Sequence, residues 1–112
     1  MKILNTKNSI RNLTSGEYII GVENTGSHAC YMIYGVLKSE DKPRLIKPGK
    51  GHEEIVLILS GRVKFNDKIL EAGDSFHIVE EESCFIENIG DSEVIYIISG
   101  GHSEKGHHFS ST

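Results

Sequence analysis

Six histidines, two cysteines and sixteen acidic side chains are the groups from which this chain could build a reactive or ligand-binding site. His52 and Glu54 stand two residues apart, a spacing that turns both side chains to one face of a strand. Glu53 and Glu54, being neighbours, face opposite ways on a strand and so do not make an acid–base pair. His102, His107 and His108 lie within Gly-Gly-His-Ser-Glu-Lys-Gly-His-His, where three imidazoles with Glu104 are a donor set for zinc, nickel or copper. Ordering a flexible tail costs entropy, so a solvated tail is the competing reading of the same residues. Cys30 and Cys84 make neither a CxxC nor a disulfide framework, and no motif around them supplies the electropositive setting a nucleophilic thiol requires. GxGxxG, P-loop and His-Glu-x-x-His patterns are absent from the sequence.

Twelve Lys and Arg against sixteen Asp and Glu leave a net charge of −4, which disfavours a nucleic-acid partner held by counterion release. The charges are segregated. Lys38, Lys42, Arg44, Lys47 and Lys50 crowd one stretch, while Glu71, Asp74, Glu80, Glu81, Glu82, Glu87, Asp91 and Glu93 occupy another with no Lys or Arg. One reading is two solvated faces; the sharper one is a basic rim around a pocket for an anion. No apolar run is long enough for a membrane span, and Met-Lys-Ile-Leu-Asn does not begin a signal peptide. The expectation is a cytoplasmic protein with reduced thiols and no membrane partner.

The elements that must position these groups read as strands. At 112 residues, with 38% hydrophobic and 25% charged residues, the chain suits one globular domain. Twelve glycines against two alanines, Ala29 and Ala72, argue against a helical bundle. β-Branched and aromatic runs at 18–22, 30–37, 55–59 and 94–98 are bounded by Gly, Ser, Asn or Asp. Ile55 to Leu59 does not alternate, which predicts burial on both faces. A hairpin is predicted over 63–70, with Asn66-Asp67 at a turn that demands positive φ. Strand-sized pieces recurring about every ten residues predict an antiparallel sandwich or small barrel with no long helix.

Two stretches resemble the motifs of the cupin superfamily. In Lys47-Pro48-Gly49-Lys50-Gly51-His52-Glu53-Glu54 continuing to Gly61, Glu54 and Gly61 match the Glu and the turn Gly of the first motif. In Gly73-Asp74 continuing to Cys84 and Asn88, Gly73 and Asn88 match the first and last members of the second. The resemblance spans residues 17–99 and implies an all-β fold: a single small antiparallel β-barrel, or double-stranded β-helix, of the jelly-roll type. It also marks departures. Pro48 and Lys50 stand where the family has its His-x-His pair, and Cys84 where it has the last metal-binding His.

By this resemblance Glu54 points into the barrel, where a carboxylate without a partner is destabilising. Three partners are open. The first is a rebuilt site for one divalent transition metal, zinc, iron, nickel or copper, on His52, Glu54, His77 and Cys84, with His102, His107 and His108 as the tail alternative. The second is the Lys50 ammonium, pairing with Glu54 in a metal-free pocket and, with Arg44 and Lys47 nearby, favouring an anionic small molecule. The third is structural satisfaction by Tyr31, Tyr34, Asn88 or water. The pocket is expected to hold Lys50, Glu54, Cys84 and Tyr34. The functional expectation is a small-molecule-binding cupin, the alternative a metal-dependent cupin enzyme of isomerase or dioxygenase type. Residues 1–15 are expected as an N-terminal arm able to supply an exchanged strand, 16–100 as the barrel and 101–112 as a mobile His-rich tail; a homodimer is expected from strands apolar on both faces.

Overall fold

The computed structural model describes residues 1–103 of the chain. The β-branched and aromatic runs pair into two antiparallel sheets. Strands β1 (Glu17–Ile20), β2 (Cys30–Leu37), β9 (Val94–His102), β4 (His52–Ser60) and β7 (Ser75–Ile78) form a five-stranded sheet in that order. Strands β3 (Arg44–Ile46), β8 (Cys84–Asn88), β5 (Arg62–Phe65) and β6 (Lys68–Glu71) form a four-stranded one. The core lies between them, where Leu37, Val56, Ile58, Val63, Ile86, Val94 and Tyr96 are fully buried. The expected all-β jelly roll is the fold that forms. No helix of the described residues is long and apolar enough to cross a membrane.

The 63–70 hairpin forms as β5 and β6, with Asn66 at φ 53°. Gly61 takes φ 86° where a Cβ would come within 2.8 Å of Val94 Cγ2, so only glycine fits this turn. The run at 18–22 stops at Ile20, because a one-turn helix, α2 (Val22–Thr25), follows it. The last strand runs on to His102, two residues past the expected end of the barrel, because its backbone continues to pair with β2 and β4.

Two expectations are corrected. The N-terminal arm is not a strand over its middle: residues Thr6–Arg11 form helix α1, since a polar stretch with one apolar residue, Ile10, has no period-two face to pair. Ile10 and Leu13 instead border a cavity of about 440 Å³ against Tyr34, Val36 and Ile95 of the five-stranded sheet. Strand β4 is also not buried on both faces. Glu54, Val56 and Ile58 point inward and are buried, whereas Ile55 is 54% and Leu59 46% exposed.

The register builds one device twice. On the inner face, Tyr31 of β2 opposes Gly100 of β9, which opposes Glu54 of β4. Four residues along, Tyr96 of β9 opposes Gly35 of β2, which opposes Glu17 of β1. A Cβ on Gly100 would collide with the Tyr31 ring, and one on Gly35 with the Tyr96 ring. Each tyrosine thus lies across the glycine of the neighbouring strand and places its hydroxyl on a carboxylate one strand further.

Candidate functional site

Glu54 is 5% exposed, and its Oε2 accepts a hydrogen bond from the Tyr31 hydroxyl. His52, two residues earlier on β4, shares its face and stands edge-on to the Tyr31 ring, with ring centroids 5.4 Å apart. His52 and His102 are register partners on β4 and β9, their ring centroids 5.6 Å apart. Tyr31, His52, Glu54 and His102 therefore gather where β2, β9 and β4 meet at one end of the inner face. A turn closes the entry to β4: Gly51 has φ 79°, its N–H donates to Glu80 Oε1 (2.7 Å), and its carbonyl accepts from the Ser103 N–H (2.8 Å). The carboxylate of Glu54 and burial of the ring both hold the Tyr31 phenol well above its ordinary pKa, burial being the larger cause. Tyr31 is a neutral donor throughout the physiological range.

The other end is built on the same row pattern but closed by a cation. The Tyr96 hydroxyl donates to Glu17 Oε2 and accepts from Arg44 Nη1 at 3.0 Å. Nη1 also donates to the carbonyls of Val36 (2.9 Å) and Gly16 (3.2 Å), and Arg44 Nη2 lies 3.8 Å from Asp41 Oδ2. A side chain on Gly16 would collide with the guanidinium. Arg44 is thus consumed within the fold.

Several expected site residues stand elsewhere. His77 is on the outer face, opposite Ile55, with Nε2 2.8 Å from Glu53 Oε1. Period two sends it there, because Ile78 beside it is the residue that faces the core. Glu53, Ile55, His77, Ser99 and Gly101 border a cavity of about 290 Å³ that reaches Glu54 from that outer side. Cys84 does face inward, but as part of the apolar core, and burial first and the Glu82 charge second push its thiol up to about 11. A thiol so placed is protonated and packs as a small hydrophobe. Tyr34 is on the outer face, bordering the cavity under the N-terminal arm. Lys50 is exposed in the turn before β4, and no ion pair joins it to Glu54 among the described residues. Lys47 Nζ donates to the Glu80 carbonyl at 3.1 Å. The third of the three partners, Tyr31, is the one Glu54 takes. His107 and His108 lie outside the described residues, whereas His102 is brought beside His52. Asn88 is structural, donating to the carbonyls of Leu37 and Ser92 and accepting from the Gly90 N–H.

Sequence reading passed over Tyr96, Gly35, Gly100 and Glu17. A signal was present: Tyr31-Met32-Ile33-Tyr34-Gly35 and Tyr96-Ile97-Ile98-Ser99-Gly100 both read Tyr-x-Ile-x-Gly. Antiparallel pairing sets each tyrosine opposite the other's glycine.

Residues 29–97, more than half of the chain, match the family described as the quercetinase C-terminal cupin domain. The chain belongs to this cupin family. Solved structures agree on the fold. A cupin protein from Bacteroides fragilis is 18% identical with a TM-score of 0.62, covering 81% of this chain and 80% of its own. A protein from Photorhabdus luminescens is 12% identical with a TM-score of 0.63, covering 85% and 81%. Oxalate decarboxylase of Bacillus subtilis, whose Mn(II) centres are the subject of that structure, is 17% identical with a TM-score of 0.63, over 82% of this chain but 27% of its own. No curated protein matches the chain in sequence.

The family resemblance implies a metal, and the donors among the described residues do not assemble a site for one. Of the implied ligand positions Glu54 carries a ligand, Pro48 and Lys50 have none to offer there, and Cys84 packs in the apolar core. The rebuilt set does not assemble, since His77 faces outward, and no group of three or more His, Cys, Asp or Glu side chains among the described residues could hold a metal ion.

Proposed function

We propose that this cupin is a small-molecule-binding barrel whose ligand docks at the end of the inner face on Glu54 and Tyr31, beside His52 and His102. The observation that carries this reading is the Glu54 carboxylate, buried at 5% exposure on the face it shares with His52 and bonded by the neutral Tyr31 phenol. A carboxylate accepts from several donors at once, so the site favours a ligand that brings hydrogen-bond donors. Of the basic stretch from which an anionic ligand is expected, Arg44 is bonded to the Tyr96 hydroxyl and Lys47 to the Glu80 carbonyl.

The test is a nuclear magnetic resonance titration of the full chain with a panel of small amines, polyols and hydroxy acids. Binding is expected to shift the ring signals of His52 and His102, and Glu54→Gln to weaken it. A panel that leaves these signals unmoved at millimolar concentration overturns the reading. The competing reading, a metal-dependent enzyme of isomerase or dioxygenase type, draws support from the Mn(II) centres of oxalate decarboxylase and from the neighbouring His52 and His102 rings. Elemental analysis of untagged protein separates the two: stoichiometric metal lost in Glu54→Ala supports the enzyme.

A further inference from the structure

The two tyrosine–glycine–glutamate rows let one end of the inner face serve as a template for the other. At the closed end the tyrosine hydroxyl does two things: it donates to the carboxylate of Glu17 and accepts from the Arg44 guanidinium. The cation stands behind the hydroxyl rather than on the Glu17 carboxylate, and its other arm lies near Asp41. At the other end the first half of the arrangement is repeated, with Tyr31 donating to Glu54. The second half is missing among the described residues, where no Lys or Arg forms an ion pair with Glu54 and no donor reaches the Tyr31 hydroxyl oxygen.

Resting on the reading of this end as a ligand site, we infer that the ligand is an organic cation bearing N–H donors, a guanidinium or a protonated amine, which takes the place that Arg44 takes at the other end. Its N–H donates to the Tyr31 hydroxyl, while its charge compensates Glu54. A planar guanidinium suits the place best, because its fork serves several acceptors from one position, as Arg44 Nη1 does for Tyr96, Val36 and Gly16. Charge-assisted hydrogen bonds are stronger than neutral ones, so the site discriminates between a cation and a neutral molecule of the same shape. His52, in an edge contact with the Tyr31 ring, and its register partner His102 stand beside this place.

Methylguanidinium, its neutral isostere methylurea, and glycolate as an anion are the probes, each titrated into the full chain under nuclear magnetic resonance. Methylguanidinium is expected to bind about tenfold more tightly than methylurea, the difference between a charged and a neutral hydrogen bond. The shifts should centre on Tyr31, His52, Glu54 and Gly100. Glu54→Gln should bring the two affinities together, and Tyr31→Phe, which keeps the ring over Gly100, should weaken methylguanidinium binding while leaving the spectrum dispersed. If methylurea or glycolate binds at these residues as tightly as methylguanidinium, the cation inference falls while the ligand site stands. If no probe moves these residues, the ligand site falls and the inference with it.

Discussion

Cys84 shows how the surroundings of one atom settle its role. It stands where the family resemblance puts a metal ligand, yet its sulfur lies among Ile46, Ile86 and other core side chains, and burial keeps the thiol protonated up to about 11. Cys30, by contrast, is exposed at the start of β2. A thiol reagent at neutral pH should therefore modify Cys30 in the folded protein and reach Cys84 only after unfolding; fast modification of both would contradict the core placement. The same shift predicts an alkaline loss of stability. The folded state holds the Cys84 proton more tightly than the unfolded chain, so this contribution is complete below the ordinary thiol pKa of 9.0 and is lost as pH rises towards about 11. Urea unfolding of Cys84→Val and wild type at pH 8 and about pH 10 should show the wild type losing roughly 1 kcal/mol more, and equal losses would refute it. The sequence marked Glu54, Lys50 and Cys84 as consequential positions, but a lysine and a tyrosine compete for Glu54 on equal terms until their positions in space are known.

Strands β2 and β9 carry the organisation of the site. Their shared Tyr-x-Ile-x-Gly pattern puts tyrosine, isoleucine and glycine on one face with period two, and antiparallel pairing then crosses each ring over the opposite glycine. Tyr96 is fully buried and has no room to yield, so Gly35→Ala should destabilise the fold by about 1–3 kcal/mol through overpacking. Gly100→Ala meets the less buried Tyr31, so a smaller loss of stability is expected there, together with loss of ligand shifts at His52. Denaturation curves for both variants test this, and equal stability of Gly35→Ala and wild type would overturn it. β-Branched runs and turn residues made β2 and the β5–β6 hairpin legible beforehand, and the family resemblance gave the inward face of Glu54. The short strands β3, β7 and β8 were less so, since three to five residues with charged or polar members give too brief a pattern to recognise without their partners.

Across the whole molecule, the five-stranded sheet has an outer face whose rows run Ile20, Met32, Ser99, Ile55, His77 and Tyr18, Tyr34, Ile97, Leu57, Ser75. Met32 and Ile55 are exposed there, which keeps the homodimer expected from apolar strands as a proposal, with a second copy laid on this face. Sedimentation should give a dimer that Ile55→Glu converts to a monomer of unchanged fold, and a wild-type monomer at micromolar concentration would refute it. Stability rests on the apolar core and the two tyrosine rows, so chelation with EDTA should leave the melting temperature unchanged; a clear drop would point to a structural metal. Local rules sufficed for a single β-rich domain, its hairpin, its turn glycines and the opposite facing of Glu53 and Glu54, because each depends on residues a few positions apart. They could not say that Tyr31 rather than Lys50 meets Glu54, that His77 and Tyr34 face outward, or that Arg44 closes one end of the inner face. Those outcomes depend on register between strands distant in the chain, as when Tyr96 bonds a glutamate 79 residues away, and such register is set by packing both sheets around one core.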